Sequence, residues 1–301
     1  MSLTPGLTVA VFSFNRGGYL RNCLDSIRRN MPFAQIVVYD DGSTEAETLA
    51  VLAESGVAVS RPQSADKSKH GGLYRNMQTA LADCGTELLF FLQEDMQVVR
   101  PVAEGELDGL RAIIAADPDR AFIYPCFMKA VRQRRYHRRL QPDPALRAYV
   151  AQGRGAEGWG ERIAYYDVCI ADVARLRARG WQFGQGEHAN VIAARAAFAD
   201  MAFMGDPLAF YCPEVPIFRN RSQSMAARLA ARVTGRDVKA FHDLAPARVA
   251  ALKSRPISDW PVAEDWLEPT NPNVRRPFVY KDVKARWWLN LLHRAEKLLR
   301  R

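Results

Sequence analysis

The sequence predicts an α/β protein with a mostly parallel sheet flanked by helices, and two observations lead to that prediction. Residues 88–92 form a run of five apolar residues, which is typical of a strand buried on both faces. Residues 8–14 and 36–39 are two further strand-like runs, and residues 19–30 between them repeat apolar side chains at helical spacing. Strands and helices that alternate at this spacing are typical of right-handed βαβ units.

Polar or glycine-containing sequence follows each of these strands. Asp40 and Asp41 follow the second strand, and Gln93, Glu94 and Asp95 follow the third. Carboxylates cannot continue into an apolar core without a large desolvation cost, so they mark the carboxyl ends of the strands. Ligands bind at that edge of open α/β sheets, and paired acids there are suited to a hard divalent cation. A solvated turn is the alternative explanation for any single pair.

The first third of the chain contains four motifs, Phe12-Ser-Phe-Asn-Arg16, Asp40-Asp-Gly-Ser43, Gly71-Gly-Leu-Tyr-Arg-Asn76 and Gln93-Glu-Asp95. These motifs resemble those of the family 2 glycosyltransferases, which have the GT-A fold. Their order and spacing are together far more specific than any one of them. Gln93 is a departure, because it stands where the family carries the first acid of its Asp-X-Asp motif.

The resemblance implies an inverting, metal-dependent enzyme of surface polysaccharide synthesis. Such an enzyme moves a sugar from a UDP- or dTDP-sugar donor to a hydroxyl group of a glycan or glycolipid acceptor. Asp95 would hold Mn²⁺ or Mg²⁺, and Asp41 would accept the N3–H group of the base, with Asp40 as the alternative contact. Asp-Gly-Ser is also good turn sequence, and a solvated side chain is the alternative for Arg16. The residues that the resemblance places at the nucleotide are Ser13, Phe14, Asn15, Arg16, Asp40, Asp41, Gly71, Gly72, Arg75, Asn76 and Glu94.

Inverting transfer needs a base that takes the proton of the acceptor hydroxyl group. The family places a carboxylate for this purpose after a glycine and ahead of a helix, and the matching stretch is residues 181–189. Glu187 is the base that the resemblance implies. His188 is the alternative, because the family's base is often the second residue of this pair. A helix start whose acid complements the helix dipole is the non-catalytic explanation.

The motifs divide the chain into a catalytic domain over residues 1–220 and a C-terminal extension over residues 221–301. Within the catalytic domain, residues 1–97 are the expected nucleotide-sugar half and residues 98–220 the expected acceptor half. The extension is expected to be helical. Residues 222–253 have the composition of an alanine-rich helix, and the residues that follow, up to 277, have the composition of an irregular arm. Residues 283–301 have the composition of an amphipathic helix.

The net charge of +9 is concentrated in two segments. Residues 128–154 carry eight basic residues and one acid, which suits an acidic or phosphorylated acceptor, although a solvated basic loop has the same composition. Residues 275–301 carry nine basic residues and two acids, and Trp288 and Leu291 lie on the apolar stripe of their final helix. A basic amphipathic helix of this kind can lie on an anionic membrane surface, or it can dock on its own domain.

Composition narrows the other possibilities. The sequence has no run of eighteen apolar residues and no signal-like N-terminus, and its five cysteines are dispersed. These observations together predict a cytoplasmic protein. If the last helix binds the membrane, the protein is expected to be peripheral at its inner face. A sugar nucleotidyltransferase uses a similar sheet but normally has a glycine-rich, basic loop after its first strand. A non-enzymatic membrane-binding protein is the other alternative, and no nucleic-acid-reading motif is present.

Overall fold

The computed structural model describes residues 3–61, 72–151, 162–216, 225–235 and 237–299. The strands in this part of the chain are β1 (Thr4–Ser13), β2 (Gln35–Asp40), β3 (Ala58–Ser60), β4 (Thr86–Gln93), β5 (Met96–Val98), β6 (Phe122–Tyr124), β7 (Leu140–Asp143), β8 (Ala148–Ala151), β9 (Cys169–Asp172), β10 (Ala202–Met204) and β11 (Ala209–Tyr211). The α-helices are α1 (Gly17–Asn30), α2 (Ala46–Glu54), α3 (Leu73–Asp83), α4 (Glu106–Ala115), α5 (Gln133–His137), α6 (Val173–Ala178), α7 (Glu187–Ala197), α8 (Met225–Thr234), α9 (Pro246–Ser254), α10 (Ala263–Trp266) and α11 (Trp287–Leu299).

The central sheet has nine described strands in the order β3-β2-β1-β4-β9-β6-β10-β8-β7. Strands β3, β2, β1 and β4 pair in parallel. Strand β9 is antiparallel to both β4 and β6, and β8 is antiparallel to both β10 and β7. Seven of the nine strands therefore run in the same direction, which confirms the predicted mostly parallel sheet flanked by helices. A separate two-stranded ribbon joins β5 to β11.

The apolar run at residues 88–92 lies at the centre of the core. Its five side chains are at most 2% exposed, and β4 is a central strand with β1 on one edge and β9 on the other. Each fully buried Leu or Phe side chain contributes about 1.5–3 kcal/mol relative to an exposed one. The prediction of a strand buried on both faces is confirmed.

Strand pairing continues to the carboxyl edge of β1 and brings the polar segments together. The Ser13 carbonyl oxygen accepts the Asp41 N–H group at 2.9 Å, and the Phe12 carbonyl oxygen accepts the Glu94 N–H group at 3.0 Å. The segments that follow β2 and β4 therefore lie on either side of the β1 end. This edge of the sheet forms the floor of the candidate site.

The C-terminal extension is helical, as predicted, but it does not contain one long alanine-rich helix. Helix α8 ends before Gly235, whose φ of +79° is left-handed, and α9 begins at Pro246, a residue favoured in the first turn of a helix. Between them, the N–H group of His242 donates to the Glu268 carbonyl oxygen at 2.9 Å. The single-helix prediction for residues 222–253 was therefore wrong over the described residues, because the connecting segment pairs with residues farther along the chain.

The extension also contributes to the main core. Phe241 and Phe278 pack edge to face against each other, with ring centroids 5.2 Å apart, and both contact Phe210 of β11. The proposed division of the chain at residue 220 stays a prediction. All five cysteines are buried and none forms a disulfide. Among the described residues, no helix is both long and apolar enough to cross a membrane.

Candidate active site

Asp41 occupies the carboxyl end of β2 and faces the start of α3. Its Oδ2 accepts the N–H group of Gly72 at 2.7 Å, and the Arg75 guanidinium lies 3.5 Å from its Oδ1. A Cβ atom at Gly72 would lie only 2.0 Å from Oδ1, so this close approach requires glycine. The aspartate remains 9% exposed, and its carboxylate is therefore held in a fixed position at the crevice.

Asp40 has a different surrounding, although it is the neighbouring residue. Its side chain is fully buried, its Oδ2 accepts the Ser43 N–H group at 2.9 Å, and the Arg61 Nε atom lies 3.3 Å from Oδ2. These contacts describe the Asx-type turn that was the alternative explanation of the motif. Of the two acids left open by the sequence, the geometry therefore favours Asp41 as the residue that faces a base.

Asn15 organises the loop on the other side of the β1 end. Its φ is +49°, its N–H group donates to Ser43 Oγ at 2.9 Å, and its Oδ1 accepts the N–H groups of Thr44 and Glu45 at 2.7 and 2.9 Å. Ser13 beside it is 3% exposed. Asn15 thus shapes the candidate pocket by holding the backbone that follows β2.

The remaining residues that the resemblance places at the nucleotide differ in exposure. Phe14 is half-buried next to Asn15. Asn76 lies inside α3 and is 5% exposed, so it faces the core rather than solvent. Gly71 lies outside the described residues.

Arg16 and the two acids after β4 form a buried charged cluster. Arg16 Nη1 donates to Asp95 Oδ2 at 2.7 Å and lies 3.6 Å from Glu94 Oε1, while Nη2 donates to the Pro216 carbonyl oxygen at 3.2 Å. Burial alone would lower the pKa of Arg16, but the charges of Asp95 and Glu94 raise it. Arg16 is therefore no solvated side chain.

A residue of the C-terminal extension completes this cluster. The Tyr280 hydroxyl group donates to Asp95 Oδ2 at 2.6 Å, and burial next to Asp95 raises the pKa of Tyr280. Asp95 itself is 1% exposed. Tyr280 belongs to no sequence motif, because its contact with Asp95 joins residues that are 185 positions apart.

This arrangement leaves no place for a divalent ion at Asp95 Oδ2. A guanidinium group and a phenol already occupy Oδ2, and a second cation would lie beside the first. Within the described part of the chain, no group of three or more His, Cys, Asp or Glu side chains is arranged to hold a metal ion. The assignment of Mn²⁺ or Mg²⁺ to Asp95 stays a prediction.

Glu187 and His188 lie at the start of α7. Glu187 is the first residue of that helix, Gly186 before it has a φ of +119°, and both Glu187 and His188 are exposed. Burial of Asp167 raises its pKa to about 7, and the negative charge of Glu187 adds to that rise. Asp167 belongs to none of the sequence motifs.

Lys129 is a second residue that the sequence analysis missed. Its Nζ atom lies 4.4 Å from the centroid of the Tyr211 ring. Burial lowers the pKa of Lys129, and the negative charges of both Glu187 and Asp95 oppose that effect. The positive charge of Lys129 is therefore influenced by both predicted functional acids. In the sequence it was indistinguishable from the other basic residues of its segment.

The contacts at Asp95 lead to a prediction about the nucleotide-free protein. We expect it to bind Mn²⁺ no better than an Asp95→Asn variant does, because Arg16 and Tyr280 occupy the carboxylate. The amplitude of the free Mn²⁺ signal in electron paramagnetic resonance, recorded as protein is added, measures this binding. Saturable binding by the unmodified protein that the variant lacks would contradict the prediction.

The chain is similar to solved structures of glycosyltransferases at low sequence identity. The chain is similar to residues 1–349 of TarS from S. aureus, with 16% identity, a TM-score of 0.45, and coverage of 82% of this chain and 69% of that one. In a longer TarS structure the chain spans 42% of the length, with a TM-score of 0.46. It is also similar to the mannosyltransferase PcManGT from Pyrobaculum calidifontis, which was solved in complex with GDP-Man and Mn²⁺. That match has 14% identity and a TM-score of 0.41, and it covers 84% of this chain and 68% of that one.

The family comparison is more direct. No curated protein matches the sequence. The family described as "Glycosyl transferase family 2" matches residues 8–160, which is just over half of the chain. That range contains the four motifs and the strands that carry Asp41 and Asp95. The chain belongs to glycosyl transferase family 2, and it is a glycosyltransferase with a GT-A fold.

Proposed function

We propose that this glycosyltransferase is an inverting enzyme that moves a sugar from a UDP- or dTDP-sugar to a hydroxyl group of a glycan or glycolipid acceptor. The observation that supports this best is the carboxylate of Asp41, which Gly72 and Arg75 hold at the edge of the sheet. The negative charges of Asp95 and Glu187 both act on the pKa of Lys129, which supports placing the two acids at one site. A donor lying between them would have its diphosphate near Lys129 and its sugar towards α7.

We propose that Asp41 recognises the nucleotide base. Uracil and thymine carry an N3–H group that a carboxylate can accept, whereas N3 of cytosine is an acceptor and would oppose the carboxylate. Hydrogen bonds to charged groups contribute about 1.5–3 kcal/mol. Asp41 is preorganised for this contact, because Gly72 and Arg75 fix its position before a ligand arrives.

We propose that positive side chains bind the diphosphate of the donor. Glu94, Asp95 and Arg16 together carry one net negative charge, so this cluster alone would repel a diphosphate. Lys129 and Arg75 are the positive groups closest to the proposed path, and Arg75 is 39% exposed. We propose that Lys129 stabilises the negative charge that develops on the departing nucleoside diphosphate.

We propose that Glu187 takes the proton of the acceptor hydroxyl group. The acceptor oxygen forms a bond to the anomeric carbon as the bond between that carbon and the diphosphate oxygen breaks, and the proton passes to the carboxylate. His188, also exposed at the same helix start, is the alternative base. The exposed arginines near α5 (Arg132, Arg134, Arg135 and Arg138) support an acidic or phosphorylated acceptor.

We further propose that α8 and α11 hold the enzyme at an anionic membrane, where a glycolipid acceptor of surface polysaccharide synthesis would be found. The two helices pack through small and apolar side chains, and Glu296 of α11 accepts the N–H groups of Met225 and Ala226. Their outer sides expose apolar residues, namely Met225, Leu229, Val233, Trp287, Trp288, Leu291 and Leu298.

Basic side chains lie among these apolar ones. Arg228 and Arg232 are exposed on α8, and Arg294 and Lys297 are exposed on α11. Each basic residue near an anionic surface contributes about 1 kcal/mol, and salt weakens that attraction. The combination of apolar and basic groups favours reversible attachment in the interface plane.

The assignment of Asp41 predicts nucleotide specificity. We expect the unmodified protein to bind UDP about 10- to 150-fold more tightly than CDP, the ratio equivalent to one hydrogen bond to a charged group. In Asp41→Asn this preference should largely disappear, because an amide can accept from uracil and donate to cytosine. Isothermal titration with both nucleotides measures the ratio, and Asp25→Asn, an exposed position on α1, is the control. Equal affinities in the unmodified protein would refute the assignment.

The assignment of Glu187 predicts that binding and catalysis separate. We expect Glu187→Gln to bind UDP normally but to lower glycosyl transfer about 10²–10⁴-fold, the usual contribution of general base catalysis. UDP release from UDP-glucose, UDP-galactose and UDP-N-acetylglucosamine, with and without added sugar acceptors, measures the rate. If His188→Ala shows that loss and Glu187→Gln does not, the two roles are exchanged.

The membrane proposal is tested with variants of exposed residues, which should not disturb the fold. We expect the full chain to sediment with phosphatidylglycerol vesicles at low salt and not with phosphatidylcholine vesicles. Replacing both Trp287 and Leu291 by Ser should abolish sedimentation, whereas replacing the exposed Val131 and Ile192 by Ser should not. Sedimentation that is equal in all three proteins, or absent in the unmodified one, would show that these helices do not bind anionic lipid.

A further inference from the structure

We propose that Asp167 is a positioning residue for Glu187 and that it acts through the hydroxyl group of Tyr74. The proposal rests on the assignment of Glu187 as the base. No motif of the sequence analysis includes Asp167 or assigns a role to Tyr74. Asp167 is a positioning residue, because it acts on Glu187 and not on the substrate.

The Tyr74 hydroxyl group links the two acidic residues. It donates to Asp167 Oδ2 at 2.9 Å, and its oxygen accepts the backbone N–H group of Glu187. Tyr74 belongs to α3 and is only 3% exposed, so its ring is fixed by the core. The first residue of α7 is therefore tied to Asp167 by a chain of two hydrogen bonds through a rigid side chain.

The carboxyl group of Asp167 has an unusual environment within this chain of contacts. Its Oδ1 is buried and has no hydrogen-bond partner in the described part of the chain. The groups that face Asp167 are Tyr74 from α3, the preceding Tyr165, Glu187 from α7 and Cys169 of β9. Among the described residues, none of the groups that act on Asp167 carries a positive charge.

The consequence is a proton on Asp167 that is lost near neutral pH. Burial and the charge of Glu187 raise the pKa of Asp167 to about 7, while its contacts with Tyr74 and Tyr165 oppose the rise. Below that pH, Asp167 is neutral. Above it, the Asp167 carboxylate accepts the Tyr74 O–H group in a charge-assisted hydrogen bond, which strengthens the contact between the Tyr74 oxygen and the Glu187 N–H group. Transfer should therefore accelerate as the pH rises through about 7.

The first measurement detects the ionisation without any activity. In protein labelled with ¹³C at aspartate carboxyl groups, we expect one resonance to titrate near pH 7, as the pKa of about 7 requires. It should be missing in Asp167→Asn and should titrate at higher pH in Tyr74→Phe, because the lost hydrogen bond favoured the ionised form. Asp25→Asn is the control. Absence of such a resonance overturns the proposal.

The second measurement is the pH dependence of UDP release from the best UDP-sugar of the panel. The unmodified enzyme should show a step near pH 7 that Asp167→Asn lacks, with UDP affinity unchanged in both. A merely structural role would lower the rate of Asp167→Asn equally at every pH and leave the step in place, which would overturn the proposal. If Glu187→Gln retains full activity, the assigned base is wrong, whereas the titration of Asp167 still reports on the geometry.

Discussion

The candidate site depends on one constraint, the parallel register of β2 and β4 on either side of β1. Two backbone hydrogen bonds beyond the regular strands, from Asp41 and from Glu94 to the end of β1, carry this register up to the edge of the sheet. Because β4 is buried on both faces, a shift of one residue would move Gln93 into the apolar core or move a buried apolar side chain out of it. The core run at residues 88–92 prevents such a shift, because its five side chains have no other place to be buried.

Charge burial is the second organising feature. Glu94 and Asp95 are at most 3% exposed, and removing one partner from a buried ionic group costs about 3–5 kcal/mol because the other charge is left uncompensated. Arg16 supplies the compensating charge, and the bend at Asn15 directs it across the β1 end. Asp167 differs, since none of the described groups that act on its pKa carries a positive charge.

Sequence reasoning predicted the fold well and the site in part. The strand ends, the glycine at Gly72 and the helix start at Glu187 followed from local patterns, because each depends on a few neighbouring residues. Family membership then decided between a glycosyltransferase and the alternatives of a nucleotidyltransferase or a binding protein. The partners of these residues were not predictable. Tyr280 and Asp167 meet Asp95 and Glu187 only through tertiary packing, and neither lies in a recognisable pattern.

The contact between Tyr280 and Asp95 has a consequence for how the protein is made. The two residues are 185 positions apart, so Asp95 and its strand emerge from the ribosome long before the tyrosine that caps them. During that interval Arg16 is the available partner for the acid, and the crevice is open on the side that the extension later covers. Domains fold from the N-terminus during synthesis, and here the nucleotide-binding half can form its sheet early. Its acidic cluster is completed only as one of the last steps.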